Sequence, residues 1–324
     1  MKEKRIDLNT YWGGSPCGAI ISAIIGGGRQ ISKALSTRCV PGEFLIRLAP
    51  SLTLAEQFDQ FAHGAVETEL KNAAYDHVTC LISEEREAPV WLNQGAGDYM
   101  VTLDPLDGSN NMAAGLPVGT IFSIWKNGGS IDGTHPILPA SGRDQIAAGY
   151  LLYGTTLSLV VAMNGRAAHV ILPFDPDDDR GALVVDDHLM CPEKGRIYSV
   201  NQGNSSYWSS SQKSLVQWFQ SVNENDGRPY SSRYIGTTVA DFHRTLMKGG
   251  IYMYPGNSRN PQGKLRYLYE IAPLAFILET AGGRAVDGKN PSLDYHPSTI
   301  HDKQPVYIGS RRDVDQVLKM MCRK

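Results

Sequence analysis

The chain has 324 residues, of which 42% are hydrophobic and 20% are charged, a composition typical of a globular protein and unlike that of a disordered one. Its 31 basic and 33 acidic residues give a formal net charge of -2, so neither nucleic acid nor a membrane is expected as a partner. The 5 cysteines include no C-x-x-C pair, which argues against a disulfide framework or a zinc knuckle.

Two closely packed lobes are predicted, because a chain of this length is near the size at which a single hydrophobic core stops growing. The expected division gives an N-terminal lobe over residues 1–190 and a C-terminal lobe over residues 191–324. No apolar run approaches the roughly 20 residues that a membrane span needs. The opening residues lack the apolar core of a secretory signal, so a cytoplasmic protein is expected. A plastid protein without its transit peptide would have the same features.

The first 40 residues combine an apolar helical pattern with a glycine triplet at residues 26–28, and each glycine costs about 1 kcal/mol inside a helix. A bent or interrupted helix is predicted here. A phosphate-binding loop is disfavoured, because no strand precedes the triplet and the known glycine-rich signatures are absent. Leu54, Phe58 and Phe61 then recur at helical spacing and predict an amphipathic helix over residues 53–72.

Short β-rich segments dominate the middle of the chain. The segments at residues 77–82, 99–103 and 119–125 are predicted strands, and residues 147–172 predict a three-stranded meander with a tight turn at Asn164-Gly165. The acidic run at residues 175–179 lacks EF-hand spacing and is predicted to be a solvated turn. The remaining predictions are a strand at residues 251–254 and helices at residues 212–222, 239–247, 272–281 and 314–321.

Carboxylate pairs follow two of the predicted strands. Asp104 and Asp107, in the string Asp-Pro-Leu-Asp-Gly-Ser, follow residues 99–103, and Glu84 and Glu85 follow the strand before it. Either pair alone would be read as a turn or a charged surface. Because ligands bind at the ends of neighbouring strands in open α/β sheets, the two pairs are expected to meet. Four adjacent acids repel one another unless a cation neutralises them, so a metal site is predicted.

A third polar segment lies before the predicted helix that begins near residue 272. Lys264 and Glu270 precede this helix, whose first turn holds Pro273, a favoured position for proline. A helix N-terminus attracts anions. Lys264 is therefore a candidate phosphate clamp and Glu270 a candidate metal ligand, although alone each would be read as an exposed loop residue.

Four strings, taken in order, resemble the class I fructose-1,6-bisphosphatase family. They are Leu-Ile-Ser-Glu-Glu at residues 81–85, the Asp-Pro-Leu-Asp-Gly-Ser segment at 104–122, Arg-Tyr-Ile-Gly to His-Arg-Thr-Leu at 233–246, and Gly-Gly-Ile-Tyr to Tyr-Glu-Ile-Ala-Pro at 249–273. The likeness spans roughly residues 50–310. The wider lithium-sensitive inositol monophosphatase superfamily shares only the D-P-x-D-G string and an upstream glutamate, so the C-terminal strings narrow the assignment. Sedoheptulose-1,7-bisphosphatases belong to the same family and stay open as an alternative.

The resemblance implies an α/β fold, a layered α/β/α/β/α sandwich with the site at the junction of two lobes. It implies two or three Mg²⁺ ions, with Mn²⁺ or Zn²⁺ as possible replacements, that activate water to attack the C1 phosphate of a ketose bisphosphate. Asp59 and Glu85 are the implied catalytic residues, with Asp59 orienting or deprotonating that water. The implied metal ligands are Glu84, Glu85, Asp104, the carbonyl of Leu106, Asp107 and Glu270.

The substrate contacts that the resemblance implies form two groups. Those at the reacting phosphate are Gly108, Ser109, Asn110 and Asn111. Those at the sugar and the distal phosphate are Asn201, Asn204, Tyr234, Tyr254, Lys264 and Arg266. Arg233 is expected to reach across from a neighbouring subunit, which implies a homodimer or homotetramer.

Two departures from the family pattern leave alternatives open. Leu52 and Thr53 occupy the position of a Gly-Asp pair, so one acid of the usual set is missing. Asn204 occupies the position of a tyrosine, which widens the distal pocket and favours acceptance of a seven-carbon sugar. An inositol-monophosphatase-like enzyme would not need Lys264 and Arg233. A non-catalytic sensor of sugar phosphates would have little reason to keep five acidic ligands.

Overall fold

A nine-stranded sheet is the larger of the two β-sheets that the structure describes. The structure, a computed structural model, describes residues 4–7, 11–12, 14–40, 52–93, 96–130, 135–174 and 181–322. The strand order is β1-β9-β8-β7-β6-β5-β4-β2-β3, and β2 and β4 are the parallel neighbours in it. In chain order the strands are β1 (Lys4–Ile6), β2 (Val78–Ser83), β3 (Val90–Trp91), β4 (Tyr99–Asp107), β5 (Val118–Lys126), β6 (Gln145–Tyr153), β7 (Leu157–Met163), β8 (Arg166–Leu172) and β9 (Ala182–Asp186).

A five-stranded sheet follows in the C-terminal part, in the order β11-β10-β12-β14-β13. Strand β10 is parallel to both of its neighbours, whereas β14 is antiparallel to β12 and β13. The strands are β10 (Ile197–Ser199), β11 (Ser231–Ser232), β12 (Ile251–Tyr254), β13 (Arg284–Val286) and β14 (Val306–Gly309).

Helices complete the layers. They are α1 (Pro16–Thr37), α2 (Leu54–Ala73), α3 (Ser109–Met112), α4 (Ser210–Gln220), α5 (Thr238–Lys248), α6 (Ala272–Thr280) and α7 (Arg311–Met321). One apolar core joins α1 and α2 to the outer face of the large sheet. A second places α5 and α6 between the sheets, and a third joins α4 and α7 to the outer face of the small sheet. The predicted α/β/α/β/α sandwich is confirmed.

The elements with a clear apolar period fold as predicted. Helix α2 begins after Thr53, whose side chain and that of Glu56 form a capping box. The meander is confirmed as β6 to β8, with positive φ at Asn164 and Gly165 in the tight turn. Residues 175–180, which hold the acidic run, lie outside the described residues. Among the described helices, none is both long and apolar enough to cross a membrane.

The glycine triplet does not interrupt its helix, so that prediction is wrong. Helix α1 is continuous over 22 residues, and its glycines allow close packing. A Cβ on Gly27 would lie 2.8 Å from the Cα of Val66 in α2, and one on Gly28 would lie 2.2 Å from Leu151 in β6. Close packing of α1 against α2 and β6 therefore explains Gly27 and Gly28 better than a bend does.

Gly27→Ala is expected to destabilise the protein by about 1–2 kcal/mol, because overpacking costs about 1–3 kcal/mol and alanine returns up to about 1 kcal/mol of helix propensity. Gly26→Ala is the matched control, since its Cβ would meet the flexible end of the Glu69 side chain at 3.0 Å. Urea denaturation of both variants measures the difference. Equal stability of the two variants would contradict the close-contact explanation.

Candidate active site

Three buried carboxylates converge at the C-terminal end of β4, beside the turn that precedes α6. Asp104 and Asp107 belong to β4, and Glu270 lies on a π-helical turn, Tyr267–Ile271, that leads into α6. One ligand oxygen from each lies within 4.8 Å of the others. The side chains are almost completely shielded from solvent. Such a turn is rare and often occurs at functional sites.

An irregularity in β4 brings its two aspartates together. The strand was predicted to end at Leu103 but continues to Asp107. Asp104 pairs with Ile121 of β5 and Asp107 pairs with Gly119, so β4 contains one more residue than β5 between these two pairs. In a regular strand, residues separated by three steps point to opposite faces. The extra residue removes this alternation. The Thr120 hydroxyl donates to the Pro105 carbonyl at 2.8 Å and holds the irregular segment.

The first turn of α5 holds Asp107. The backbone N–H groups of Val239 and Thr238 donate to its two carboxylate oxygens at 2.6 Å and 3.3 Å. A helix N-terminus stabilises negative charge. Burial nevertheless raises the pKa of Asp107 to about 7, and these donors only partly offset it.

Glu270 and Asp104 each accept one backbone hydrogen bond, where Asp107 accepts two. The Arg266 backbone N–H donates to Glu270 at 2.6 Å, and the Leu106 backbone N–H donates to Asp104 at 3.1 Å. Burial raises the pKa of both carboxyl groups far above the ordinary range, and repulsion by Glu84 adds to the shift. Burial and like charge thus both disfavour the ionised form of these two groups.

Glu84 and Glu85 lie on the turn that follows β2. The Glu84 backbone N–H donates to the Leu103 carbonyl at 3.0 Å, which fixes the turn beside β4. The Glu85 carboxylate accepts a hydrogen bond from Gln60 of α2 at 3.0 Å. Burial raises the pKa of both glutamates, and for Glu84 the charge of Arg266 opposes the shift.

Asp59 approaches the cluster from α2. It lies in the second helical turn, where its carboxylate accepts a hydrogen bond from the Ser109 hydroxyl at 3.1 Å. Burial raises its pKa to about 7, repulsion by Glu85 adds to the shift, and the Ser109 bond opposes it. A carboxylate with such a pKa can accept a proton near neutral pH.

The donor set fits divalent cations. Carboxylate oxygens are the ligands that Mg²⁺ and similar hard ions prefer. Burial and mutual repulsion raise the pKa of each candidate acid, so bound cations would relieve an existing electrostatic cost. The six acids that the structure gathers here are Asp59, Glu84, Glu85, Asp104, Asp107 and Glu270.

The loop after β4 provides the candidate site for the reacting phosphate. Gly108 has φ +80°, and a Cβ there would lie 2.5 Å from the Thr237 hydroxyl oxygen, so only glycine fits. Ser109 and Asn110 begin the short helix α3, and Asn110 is exposed. The Asn111 side-chain amide donates to Thr237 at 2.8 Å, so it ties this loop to the start of α5.

Two of the predicted distal residues, Asn201 and Tyr254, lie beside Tyr234. Partial burial of its phenol raises the pKa of Tyr234 to about 12, the nearby Tyr254 adds to this rise, and a hydrogen bond from Asn201 opposes it. Asn204 lies on a 3-10 turn after Asn201, to whose carbonyl its backbone N–H donates at 3.2 Å. Lys264 is exposed, and within the described part of the chain its side chain makes no hydrogen bond or ion pair.

The two predicted arginines lie apart. Arg266 is half-buried, 3.9 Å from the Glu84 carboxylate, and so faces the metal side of the site. Arg233 is exposed, and its guanidinium donates only to the adjacent Ser232 carbonyl at 2.8 Å among described groups. It is therefore free to contact a neighbouring molecule.

Sequence reasoning missed the residues that hold the acids in place. Gln60 supports Glu85, and Thr238 and Val239 supply the backbone donors to Asp107. Backbone donors carry no residue signature. Gln60 could have been found, because it directly follows Asp59 on a helix that was already predicted.

The layered α/β fold and the buried acidic cluster beside the Gly108–Ser109 loop fit a metal-dependent phosphatase of the sugar-phosphatase type. Family models described as "Fructose-1-6-bisphosphatase, N-terminal domain" and "Fructose-1-6-bisphosphatase, C-terminal domain" match residues 54–184 and 191–322. The chain belongs to the fructose-1,6-bisphosphatase family. The family implies a requirement for a divalent metal, which the acidic cluster can satisfy.

Individual relatives agree with this assignment. The chain is 41% identical over 280 residues to "Fructose-1,6-bisphosphatase class 1" of Nitratidesulfovibrio vulgaris (strain DP4), covering 83% of this chain and 81% of that protein. It is 41% identical over 258 residues to "Fructose-1,6-bisphosphatase" of Kluyveromyces lactis, covering 76% and 72%. The Leishmania major fructose-1,6-bisphosphatase structure in holo form superposes with a TM-score of 0.84 at 31% identity, covering 99% of this chain and 100% of that one.

Proposed function

We propose that this chain hydrolyses the C1 phosphate of fructose-1,6-bisphosphate with Mg²⁺ as the metal. The convergence of Asp104, Asp107 and Glu270 within 4.8 Å, next to the Gly108–Ser109 loop, carries the proposal. Small, hard Mg²⁺ suits a set of carboxylate oxygens that also leaves room for phosphate oxygens and water. Membership of the family supports the sugar bisphosphate as substrate.

The cations would supply polarisation of the phosphate and a lower pKa for the attacking water. The chain's own residues position the reactants. Ser109 donates a hydrogen bond to Asp59 and so orients its carboxylate. Asp59 then takes the proton of the attacking water, for which its raised pKa suits it. Backbone N–H groups after Gly108 hold the phosphate oxygens.

The distal end of the sugar would lie against Tyr234. Its hydroxyl, that of Tyr254 and the ammonium of exposed Lys264 would supply donors for a second phosphate. The exposed guanidinium of Arg233, which among described groups donates only to the adjacent Ser232 carbonyl, supports a homodimer or homotetramer in which it reaches a partner's site. Cytoplasmic localisation also stays a prediction.

Initial rates with Mg²⁺, measured side by side, test the proposed substrate. Fructose-1,6-bisphosphate should be hydrolysed at least about 100-fold more efficiently than inositol monophosphate, because the second phosphate adds charge-assisted hydrogen bonds of the kind worth about 1.5–3 kcal/mol each. EDTA should abolish the rate. Preference for the monophosphate would favour the inositol-phosphatase alternative, and no turnover of either would favour the sensor.

Substrate length is predicted to depend on Asn204. Wild type should accept sedoheptulose-1,7-bisphosphate as well, because Asn204 leaves space where a tyrosine ring would stand. Asn204→Tyr should shift the kcat/KM ratio toward fructose-1,6-bisphosphate by roughly 5- to 150-fold, the range of one buried donor. Ser206→Tyr, on the exposed side of the same turn, is the control. An unchanged ratio would mean that position 204 does not set length.

Mg²⁺ is expected to raise the melting temperature more at pH 8 than at pH 5. The pKa values of Asp59 and Asp107 are about 7 in the folded chain, against an ordinary value of 3.8, and this rise sets the direction of the pH dependence. Their protonation stabilises the metal-free fold at low pH, and this contribution is lost as the pH rises through 7. At pH 5 the cation must displace protons, whereas at pH 8 it meets ionised ligands. Calorimetry with and without Mg²⁺ measures the shift, and equal shifts would contradict this electrostatic description.

A further inference from the structure

Helix α2 contacts both strand-end turns of the metal site through one face. Asp59 accepts from Ser109 on the turn after β4, and Gln60 donates to Glu85 on the turn after β2. One turn further along, the imidazole of His63 contacts Ser83, the residue directly before the two glutamates. His63 is completely buried, at 0% exposure. It belongs to none of the ligand groups described above.

The imidazole links two polar groups that lie on opposite sides of it. Nδ1 lies 2.9 Å from the Ser83 hydroxyl, and Nε2 lies 3.1 Å from the Glu67 carboxylate, which also binds Lys71 at 2.5 Å. A carboxylate paired with a lysine only accepts hydrogen bonds, so Nε2 carries the ring proton and donates it. Nδ1 then forms the hydrogen bond with the Ser83 hydroxyl.

The Ser83 oxygen also accepts a hydrogen bond from the turn that follows. The Glu85 backbone N–H points at that oxygen from 3.4 Å. Four groups thus form one connected chain, from the Glu85 N–H through the Ser83 hydroxyl and the His63 ring to Glu67. Without the ring nitrogen, the hydroxyl loses the partner that fixes its position, and the turn loses the support that holds the Glu85 backbone.

We propose that His63 is a positioning residue of the metal site, and that it sets the affinity for divalent cations by fixing the turn of Glu84 and Glu85 through Ser83. The inference rests on the proposed function, since it concerns the same site. Groups behind the direct ligands commonly change metal affinity 10- to 100-fold, roughly, when they are replaced. His63 does so without contacting a metal or substrate.

Two matched variants separate the roles of the ring nitrogens. His63→Asn keeps an acceptor near the Nδ1 position, toward Ser83, whereas His63→Gln keeps a polar amide near the Nε2 position, toward Glu67. Both remove the ring, so both lose comparable packing. The apparent Kd for Mn²⁺, measured by electron paramagnetic resonance without substrate, should rise about 10- to 100-fold in His63→Gln and His63→Leu. It should stay within about three-fold of wild type in His63→Asn.

A second buried histidine provides the control. His169, on β8, makes no hydrogen bond through Nε2 to any described group, and His169→Leu should leave the Kd for Mn²⁺ within about two-fold. Ser83→Ala should weaken Mn²⁺ binding as much as His63→Leu does, and the double variant should lose no more, because both substitutions break one chain. Melting temperatures show which variants fold. If His63→Leu does not fold, the Kd of Ser83→Ala for Mn²⁺ tests the proposal in its place.

Equal Mn²⁺ affinity of His63→Asn and His63→Gln would overturn the proposal, as would additive losses in the double variant. Initial rates on fructose-1,6-bisphosphate, measured in parallel, separate this inference from the proposed function. Wild type that binds Mn²⁺ without hydrolysing the sugar would contradict the proposed function alone. The Kd values of the His63 variants for Mn²⁺, relative to wild type, would still test the role of His63. Wild type that binds no Mn²⁺ would overturn both.

Discussion

Asp104→Asn is expected to lower kcat by at least about 10³-fold, the scale of losing one preorganised electrostatic element. Asp104 is a central member of the buried trio, with Asp107 and Glu270 within 4.8 Å. Replacing its carboxylate with a neutral amide weakens cation binding where charge develops on the phosphate. The measurement is kcat over a Mg²⁺ titration, so that weaker binding and slower turnover are seen separately.

The same substitution should not destabilise the metal-free protein. Burial already favours the neutral form of Asp104, and an asparagine oxygen can still accept from the Leu106 N–H. An unchanged or higher melting temperature together with lost turnover therefore distinguishes a metal ligand from a structural residue. Asp98→Asn, an exposed acid just before the same strand, is the control and should stay within two-fold of wild type. A tenth of the activity retained in Asp104→Asn would contradict the metal-site assignment.

Asp59→Asn is expected to lower kcat by about 10²- to 10⁴-fold, the usual contribution of a general base. The asparagine oxygen still accepts from Ser109, so the geometry is kept while the proton acceptor is lost. The KM for the sugar and the Kd for Mn²⁺ should change little. In wild type the rate should rise with pH as Asp59 ionises, and this acid limb should flatten in the variant.

Asp76→Asn, an exposed acid just beyond the end of α2, is the control for this substitution. It should leave both kcat and the pH profile unchanged. Because burial and Glu85 raise the pKa of Asp59 to about 7 and bound cations lower it again, the acid limb is expected at or below neutral pH. If the rate of Asp59→Asn still fell at low pH as it does in wild type, a residue other than Asp59 would be the general base.

The elements with regular periods could be predicted, and the irregular ones could not. The apolar spacing of Leu54, Phe58 and Phe61 predicted α2, and the alternation around Asn164-Gly165 predicted the meander. Short edge strands such as β1 and β3 contain too few residues for a period to show. The glycines of α1 were misread, because the cost of glycine in a helix is local whereas its benefit lies in contact with another helix.

The acids of the site could be identified from sequence, but their support could not. The strings around Glu84, Asp104 and Glu270 resembled a known family closely enough to name them. The irregularity in β4 that turns Asp104 and Asp107 to one side depends on pairing with β5, which no local pattern encodes. His63 falls on the buried face of an amphipathic helix, where a single polar residue does not disturb the period. Its partner Ser83 comes from another element.

Hydrolysis of fructose-1,6-bisphosphate in ¹⁸O-labelled water with Mg²⁺ tests the central claim most directly. Attack of water on the C1 phosphate predicts inorganic phosphate carrying one ¹⁸O atom, fructose 6-phosphate with no label in its C1 hydroxyl, and no product when EDTA is present. Phosphorus NMR reads the isotope shift and the identity of the sugar phosphate in one sample. Release of fructose 1-phosphate, inorganic phosphate without ¹⁸O, or turnover that survives EDTA would contradict hydrolysis of the C1 phosphate at this metal site.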